Sequence, residues 1–493
     1  MSTENFPGGT DPQAAIQAAA VARAELHQHI SGWLHGHDVN QMDFILCVAI
    51  TGGSTEQGEK LWGIVVGGSS SAKSEDIRMV FGVADARLSD LTAAGLISWM
   101  GTGKSMKATG LLMRIPDPAF VVIEDLAPVL SDTSDKRNRS KLVAILRRVY
   151  DGEVQRDLGG SPGPLPWHGN VTMLAASTKV IDQQSALLDE AGPRWLLYRG
   201  TEAGTPTRLE GAGRRLSATE KAEKRERAQQ LAAQVVQYGR AAFAHTELSE
   251  HAAGVIGDIS VAVGTMRGNV PRDGYKRDIV GIASTEEPYR LAAQLQLLAR
   301  AAMAFGHPED SAVELARTVA LGTVPPDRMK VLEVLADGGE HNATAIGREK
   351  EMHRHVARRA LEDLQQLRIT ACKGEDESDE PYTPTGAAKL WRLAGTVEAG
   401  LSLHVIQRPE GGTKSERYLP CPPDKEDEEH SAHSPDFVPP PVYGLNTDFV
   451  PSPGSIADQY LNGHAGFDFA ALMDAVDWKA VDRLERAMDQ EAG

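Results

Sequence analysis

The sequence predicts an α/β protein whose central unit is a parallel sheet covered by helices, followed by an all-helical segment and a smaller mixed one. Three observations carry this expectation. From Leu61 to about Arg199, short β-type apolar runs (Leu61 to Val66, Phe120 to Ile123, Val171 to Ala175, Trp195 to Tyr198) alternate with helical patterns. Such alternation is produced by parallel strands with helices on both faces. From Ser217 to Leu321, apolar positions recur at three and four, as in Leu291, Leu295, Leu298 and Ala302, with no strand-like run of comparable quality. Aromatic residues make up only 5% of the chain while Ala and Gly abound, which suits helical layers closed by small side chains better than a β-sandwich.

At 493 residues the chain exceeds one compact core and divides into about three ordered units plus tails. The pattern places an N-terminal helix in 1–40, an α/β unit in 41–215, a helical unit in 216–322, a small mixed domain in 323–400 and a disordered Pro/acid-rich tail in 401–493. Residues 11 to 37 read as a leading helix on the spacing of Ile16, Ala20, Leu26 and Ile30. The apolar run Phe44 to Ile50 fits a core helix or a buried strand equally well. Met329 to Leu335, Ala343 to Ile346 and Val356 to Leu367 read as three short helices, with Ile369 to Tyr382 as a two-stranded wing. From about Leu401 onward Pro, Gly and acidic residues dominate and a packed core is not expected. That tail repeats Asp436-Phe437-Val438-Pro439 as Asp448-Phe449-Val450-Pro451 and ends in an amphipathic stretch, Phe467 to Met488.

No apolar run approaches the roughly 20 residues a membrane crossing requires, and Met1 to Gln13 lacks the basic and apolar parts of a secretion signal. A cytoplasmic protein without membrane contact is the expectation. Cys47, Cys372 and Cys421 lie far apart and have no paired metal-ligand spacing, which argues against disulfides and zinc. The net charge of −17 excludes a surface coated throughout by nucleic acid, so any DNA contact is local. The stretch Arg348 to Arg359 is basic, while Glu375 to Glu380 and Asp424 to Glu429 are acidic.

Strand Leu61 to Val66 runs into Gly67-Gly68-Ser69-Ser70-Ser71-Ala72-Lys73-Ser74 and then the helical Glu75 to Val80. Strand, small-residue loop and helix in this order cradle phosphate: backbone N–H groups and the helix dipole solvate the anion. Lys73 would reach the β- and γ-phosphates of ATP, and the Ser74 hydroxyl would bind Mg2+. Ala72 stands where the pattern has its second Gly; the plain alternative is a serine-rich turn before a helix. Gly101-Thr102-Gly103-Lys104-Ser105 looks similar but lacks a preceding central strand, and is read as a loop.

Phe120 to Ile123 ends in Glu124-Asp125. A carboxylate at the end of a parallel strand beside the phosphate loop can hold Mg2+, and a second can polarise water, so Asp125 is the metal candidate and Glu124 the weaker base candidate. Leu126 occupies the place where the base would follow the metal ligand. Val171 to Ala176 ends in Ser177-Thr178, hydroxyls able to orient water near the γ-phosphate. Arg194, in the segment Gly192-Pro193-Arg194-Trp195, would neutralise phosphoryl charge in a neighbouring subunit.

In their order these pieces resemble the AAA+ ATPases of the minichromosome-maintenance-like branch, and more closely the phage and mobile-element proteins built on that core. The residues carrying the resemblance are Lys73-Ser74, Val122 to Leu126, Leu146 to Gly152, Ala175 to Thr178 and Gly192 to Arg199, within roughly residues 40 to 395. It implies an ATP- and Mg2+-dependent homo-oligomer, a hexamer-type ring. Arg194 would then be the arginine finger, Thr178 or Ser177 the first sensor and Arg290 the second sensor on the helical lid. No hairpin insert before the Val171 strand stands out; Lys104 with Lys107, or Lys136 to Lys141, are the alternative DNA-gripping stretches.

The mixed domain resembles a winged helix, with His353 to Leu361 as the helix presenting Arg and His to DNA, against which the acidic Glu375 to Glu380 weighs. The expected function is a DNA-acting ATPase, helicase or helicase loader, in replication of a phage or mobile element. The alternative is a nucleotide-gated DNA-binding regulator or assembly switch with slow hydrolysis. A third reading is an adaptor recruiting protein partners through Phe437, Phe449, Phe467 and Trp478.

Overall fold

Side-chain alternation along the central strands splits the interior into two cores. Leu61, Val65, Phe120, Val122, Leu174, Ala176, Leu196 and Tyr198 feed one; Trp62, Ile64, Val66, Val121, Ile123, Met173, Ala175 and Leu197 feed the other. A strand buried on both faces has no polar side, which is why these runs read as continuous apolar segments. The computed structural model describes residues 11–34, 37–54, 58–68, 73–100, 107–128, 136–156, 164–184, 194–200, 216–373 and 389–407.

The sheet contains β1 (Trp62–Val66), β2 (Ala86–Leu88), β5 (Ala119–Ile123), β8 (Val171–Ser177) and β9 (Trp195–Arg199). Their spatial order is β2-β5-β8-β1-β9, and every neighbouring pair is parallel. The four apolar runs expected as strands are all present. Edge strand β2, Ala-Arg-Leu with no fully buried position, was not anticipated, because three partly exposed residues carry no apolar run.

One face is covered by α1 (Pro12–Ser31), α2 (Val39–Thr51) and α3 (Lys73–Met79), then α6 (Ala218–Phe243), α7 (Glu250–Met266), α8 (Tyr289–Ala304) and α9 (Glu309–Gly322). The ambiguous run Phe44 to Ile50 is helical: Asp38 caps α2 by accepting from the Gln41 N–H at 3.2 Å, and 13 residues exceed the length of an ordinary strand. Helix α2 lies directly on the sheet because β1 carries Gly63 beneath it; a Cβ there would stand 2.7 Å from Phe44 Cζ and 2.8 Å from Val48 Cγ2. Helix α6 opens with a capping box between Ser217 and Glu220, and α1 packs along it. Helices α1 and α6 to α9 therefore share one apolar core with the sheet, and that core extends through the C-terminal helices to Val405.

The other face carries α4 (Ala93–Leu96), α5 (Lys136–Tyr150) and two antiparallel hairpins, β3 (Ser98–Met100) with β4 (Lys107–Thr109) and β6 (Glu153–Arg156) with β7 (Leu165–His168). The second hairpin corrects the expectation that no insert precedes β8. Its signal was present: both arms alternate in burial and are separated by a Gly/Pro-rich stretch, Asp157 to Pro164. Arg156 donates to the carbonyls of Ala93 (2.9 Å) and Ile97 (2.5 Å), tying it to the root of the first hairpin. Lys107 is exposed in β4 and Lys136 opens α5, whereas Gly101 to Ser105 lies outside the described residues.

The C-terminal unit consists of α10 (Pro326–Leu335), α11 (Ala343–Glu349), α12 (Arg354–Gln366), β10 (Thr370–Cys372), β11 (Trp391–Leu393) and α13 (Val397–Ile406). The three helices match expectation. The strand paired with β10 is Trp391–Leu393, not a segment before Tyr382, because Trp391 and Leu393 are the buried positions. The expected tail boundary at 401 is also corrected, since Leu403 and Val405 are buried in α13, which packs on α7. The tail repeats, Cys421 and Phe467 to Met488 lie outside the described residues. Among the described residues no helix is long and apolar enough to cross a membrane.

Candidate phosphate-binding site

Because the five strands are parallel, the segments following β1, β5 and β8 all leave from one edge of the sheet. The register pairs Val66 with Ser177 and Ile123 with Ala175. With β8 between them, the ends of β1 and β5 stand roughly 10 Å apart, two inter-strand spacings of about 4.8 Å. The Gly67 N–H continues the ladder by donating to the Ser177 carbonyl at 3.2 Å, so the loop leaves the sheet at Gly68. Lys73 opens α3; only 6% of it is exposed, and its Nζ donates to the Gly68 carbonyl at 2.9 Å. Burial lowers its affinity for a proton, and the Asp125 carboxylate opposes that shift. Lys73 and Asp125 thus stand at the same end of the sheet, on either side of the space beyond β8. Ser74 is exposed beside Lys73, while Ser69, Ser70, Ser71 and Ala72 lie outside the described residues.

Across that space the end of β5 is held rigidly. Glu124 N–H donates to the Leu88 carbonyl at 2.8 Å and Leu126 N–H to the Ala176 carbonyl at 2.7 Å. Between them Asp125 Oδ1 accepts from the Ala127 N–H at 2.9 Å, a short-range turn that fixes the carboxylate. Ser177 is fully buried, and its hydroxyl donates to the Thr178 carbonyl at 3.2 Å. Thr178, half-buried at the strand tip, is the better placed of the two for a ligand.

Neither protein-family models nor curated proteins match this chain.

Among the described residues no group of three or more His, Cys, Asp or Glu side chains is arranged to hold a metal ion. Mg2+ beside a nucleotide does not require one, because it takes one or two protein oxygens together with phosphates and water. Ser74 and Asp125 match that donor set.

The two candidate arginines are not at this edge. Arg194 immediately precedes β9, and Trp195 pairs with Trp62 at the start of β1. Arg290 begins α8 and pairs with Glu59 at 3.3 Å, just ahead of β1. Five residues of strand separate them from the loop after β1, about 16 Å at roughly 3.3 Å per residue. Both guanidinium groups lie 5.6–5.7 Å from the Tyr150 ring centroid. Arg194 is 7% exposed and pairs with Asp151 at 3.0 Å. The buried Gln294 side chain ties the cluster together, donating to the Tyr150 hydroxyl and the Arg194 carbonyl, each at 2.9 Å. Burial and the adjacent Glu59 carboxylate hold the Tyr150 phenol well above its usual range.

Sequence reasoning missed what positions the loop helix. Glu75 of α3 pairs with Arg225 (2.9 Å) and Lys221 (3.4 Å) of α6. Asp76 accepts from Gln41 Nε2 at 2.5 Å and lies 3.5 Å from His37. His37 meets His27 at 3.1 Å, and His27 meets the buried Asp43 at 2.9 Å. Asp43 also holds Arg23 (2.5 Å) and His307 (3.1 Å). Its burial would raise the carboxyl pKa, but hydrogen bonds from Arg23, His27 and His307 outweigh this and hold it far below the usual carboxylate range. Single polar residues at scattered positions leave no periodic trace, so only the folded chain brings them together.

Proposed function

We propose that the chain is an ATP-hydrolysing protein of the AAA+ type that acts on DNA through a C-terminal winged-helix module, with helicase or helicase-loader character. One observation carries this reading: Lys73 at the start of α3 and Asp125 just after β5 lie at the same end of a parallel sheet, flanking the space beyond the strand that ends in Ser177. A triphosphate in that space would meet the ammonium and the Gly68 end of the loop on one side and the acid on the other. Mg2+ held by Ser74 and Asp125 would screen the phosphate oxygens. Lys73 would exchange its Gly68 carbonyl for phosphate oxygens. Glu124 and Thr178 are the groups able to orient an attacking water.

Arg194 and Arg290, sharing the opposite edge, suit action on a nucleotide held by a neighbouring copy, as in a ring of the hexamer type. In that arrangement Arg194 must leave Asp151, so hydrolysis would depend on assembly. Helix α12, with Arg354, His355, Arg358 and Arg359 exposed, offers cations to DNA phosphates. Calorimetric titration with Mg2+ and ATP tests the reading. Wild type should release binding heat and Lys73→Ala should not; a wild type that takes up no adenine nucleotide would overturn it.

The regulator or assembly switch with slow hydrolysis is the second reading. It is favoured by Leu126, whose side chain is buried and whose backbone is pinned to β8, leaving no carboxylate directly after Asp125. The ATPase rate with and without single- and double-stranded DNA separates the two.

A further inference from the structure

Between α7 and α8 the chain does not remain helical. Asn269 and Ser284 exchange backbone hydrogen bonds at 2.8 and 2.9 Å, and Val280 N–H donates to the Pro271 carbonyl at 3.0 Å, making a narrow hairpin. Its tip is shaped by one carboxylate. Asp273 Oδ1 accepts from the N–H groups of Tyr275 (2.6 Å) and Lys276 (2.7 Å), and Oδ2 accepts from that of Asp278 (3.0 Å). The tip therefore presents Tyr275, Lys276 and Arg277 in sequence, all exposed. Tyr275 is 93% exposed. Eight large apolar or aromatic side chains among the described residues are exposed, and three of them, Tyr275, Val280 and Ile282, lie within these eight positions. Clustering of that kind marks a contact surface, whereas isolated exposed side chains do not.

The hairpin is fastened to the C-terminal unit through Arg272. Its guanidinium donates to the Arg277 carbonyl (2.6 Å), the Arg359 carbonyl (3.2 Å) and Asp363 Oδ1 (2.8 Å). One group thus bridges the main chain at Arg277 to the main chain at Arg359 of α12. Arg328 completes the clamp, donating to the Met266 and Gly268 carbonyls at 2.9 and 2.7 Å and to Asp363 at 3.3 Å. The acids of α12 are engaged: Asp363 by Arg272 and Arg328, Glu362 by Arg272 and Arg358. The cations Lys276, Arg277, Arg354 and Arg359 remain exposed on the joined surface.

We propose that the hairpin tip and α12 form a single binding surface for single-stranded DNA, in which Tyr275 stacks on an unpaired base while Lys276, Arg277, Arg354 and Arg359 take the flanking phosphates. An unpaired base offers an open π-face to a ring at a rigid tip, and adjacent cations follow the backbone. The inference rests on the DNA-acting reading for the identity of the polymer, and not on nucleotide binding.

The test is fluorescence anisotropy of a labelled oligothymidylate and of a blunt duplex with the full chain, without nucleotide, at several salt concentrations. Tyr275→Ala should weaken single-strand binding by about 5- to 150-fold, the range that stacking of one base supplies, and Tyr275→Phe should restore it. The Lys276→Ala/Arg277→Ala double variant should flatten the slope of log affinity against log salt by about 1.4, two phosphates at roughly 0.7 each. Lys73→Ala should bind the oligonucleotide as wild type does, so loss of ATP uptake and loss of strand binding are read separately. Unchanged single-strand affinity in Tyr275→Ala overturns the proposal, as does failure of Tyr275→Phe to restore binding. A change in sedimentation without a change in DNA affinity also overturns it, and assigns the hairpin to contact between copies of the chain.

Discussion

Asp43 shows how much a single buried charge organises. Its carboxylate has no exposed surface and takes Arg23, His27 and His307 from helix α1 and the turn before α9. Removing its charge leaves the Arg23 guanidinium without its counter-charge and the buried hydrogen bonds from His27 and His307 weakened, so Asp43→Asn should destabilise the fold by about 3–5 kcal/mol at pH 7, measured by urea unfolding. A carboxyl group whose pKa is depressed by folding contributes stability that is complete above its unfolded value of about 3.9 and is lost as pH falls below it. The gap between wild type and Asp43→Asn should therefore narrow below about pH 4; a gap that is constant from pH 7 to 3 would show that the carboxylate is not the source. Lys73 is a different case, with burial lowering and Asp125 raising its pKa. Asp125→Asn should weaken uptake of Mg-ATP more than uptake of ATP in EDTA, a contrast calorimetry reads directly.

Among the elements, the loop helix α3 is short, seven residues, and depends on its neighbours for its orientation. Glu75 gathers Arg78, Lys221 and Arg225, so Glu75→Gln should leave the fold intact, lowering stability by about 1 kcal/mol or less, while loosening the coupling between α3 and α6. Hydrogen exchange of the α3 amides would rise in that variant if the coupling is present. The long apolar strands and the capped helices were legible in the sequence because periodicity and length coincide there. Strands β2 and β11 were not, since each is three residues long, with no buried side chain in β2 and two in β11. The site was legible to the same degree. Lys73 and Asp125 follow strong strands, which places both at one end of the sheet, whereas the company Arg194 keeps with Tyr150 and Gln294 depends on a helix residue 100 positions away and leaves no local pattern.

At the scale of the whole chain, one apolar core runs from Ala15 to Val405 across a single face of the sheet. A cut after Gly400 removes Leu403 and Val405 from that core and should lower the melting temperature by several degrees relative to a cut after Gln407, which removes none of the described core. Thermal unfolding followed by circular dichroism distinguishes the two. Arg194→Ala belongs to this scale as well. The variant should still take up ATP, and on the ring reading it should lose at least about 1000-fold in turnover, whereas full activity would remove the trans-acting role.

The contact between His307 and Asp43 spans 264 positions. On a ribosome adding about 5–20 residues per second, Asp43 emerges roughly 13 to 50 s before the imidazole that completes its hydrogen bonding. During that interval the acid of α2 has only Arg23 and His27 for company, and the apolar flank that α6 will cover stays open to water. Synthesis of this protein thus makes α1 and α2 early and finishes their packing late.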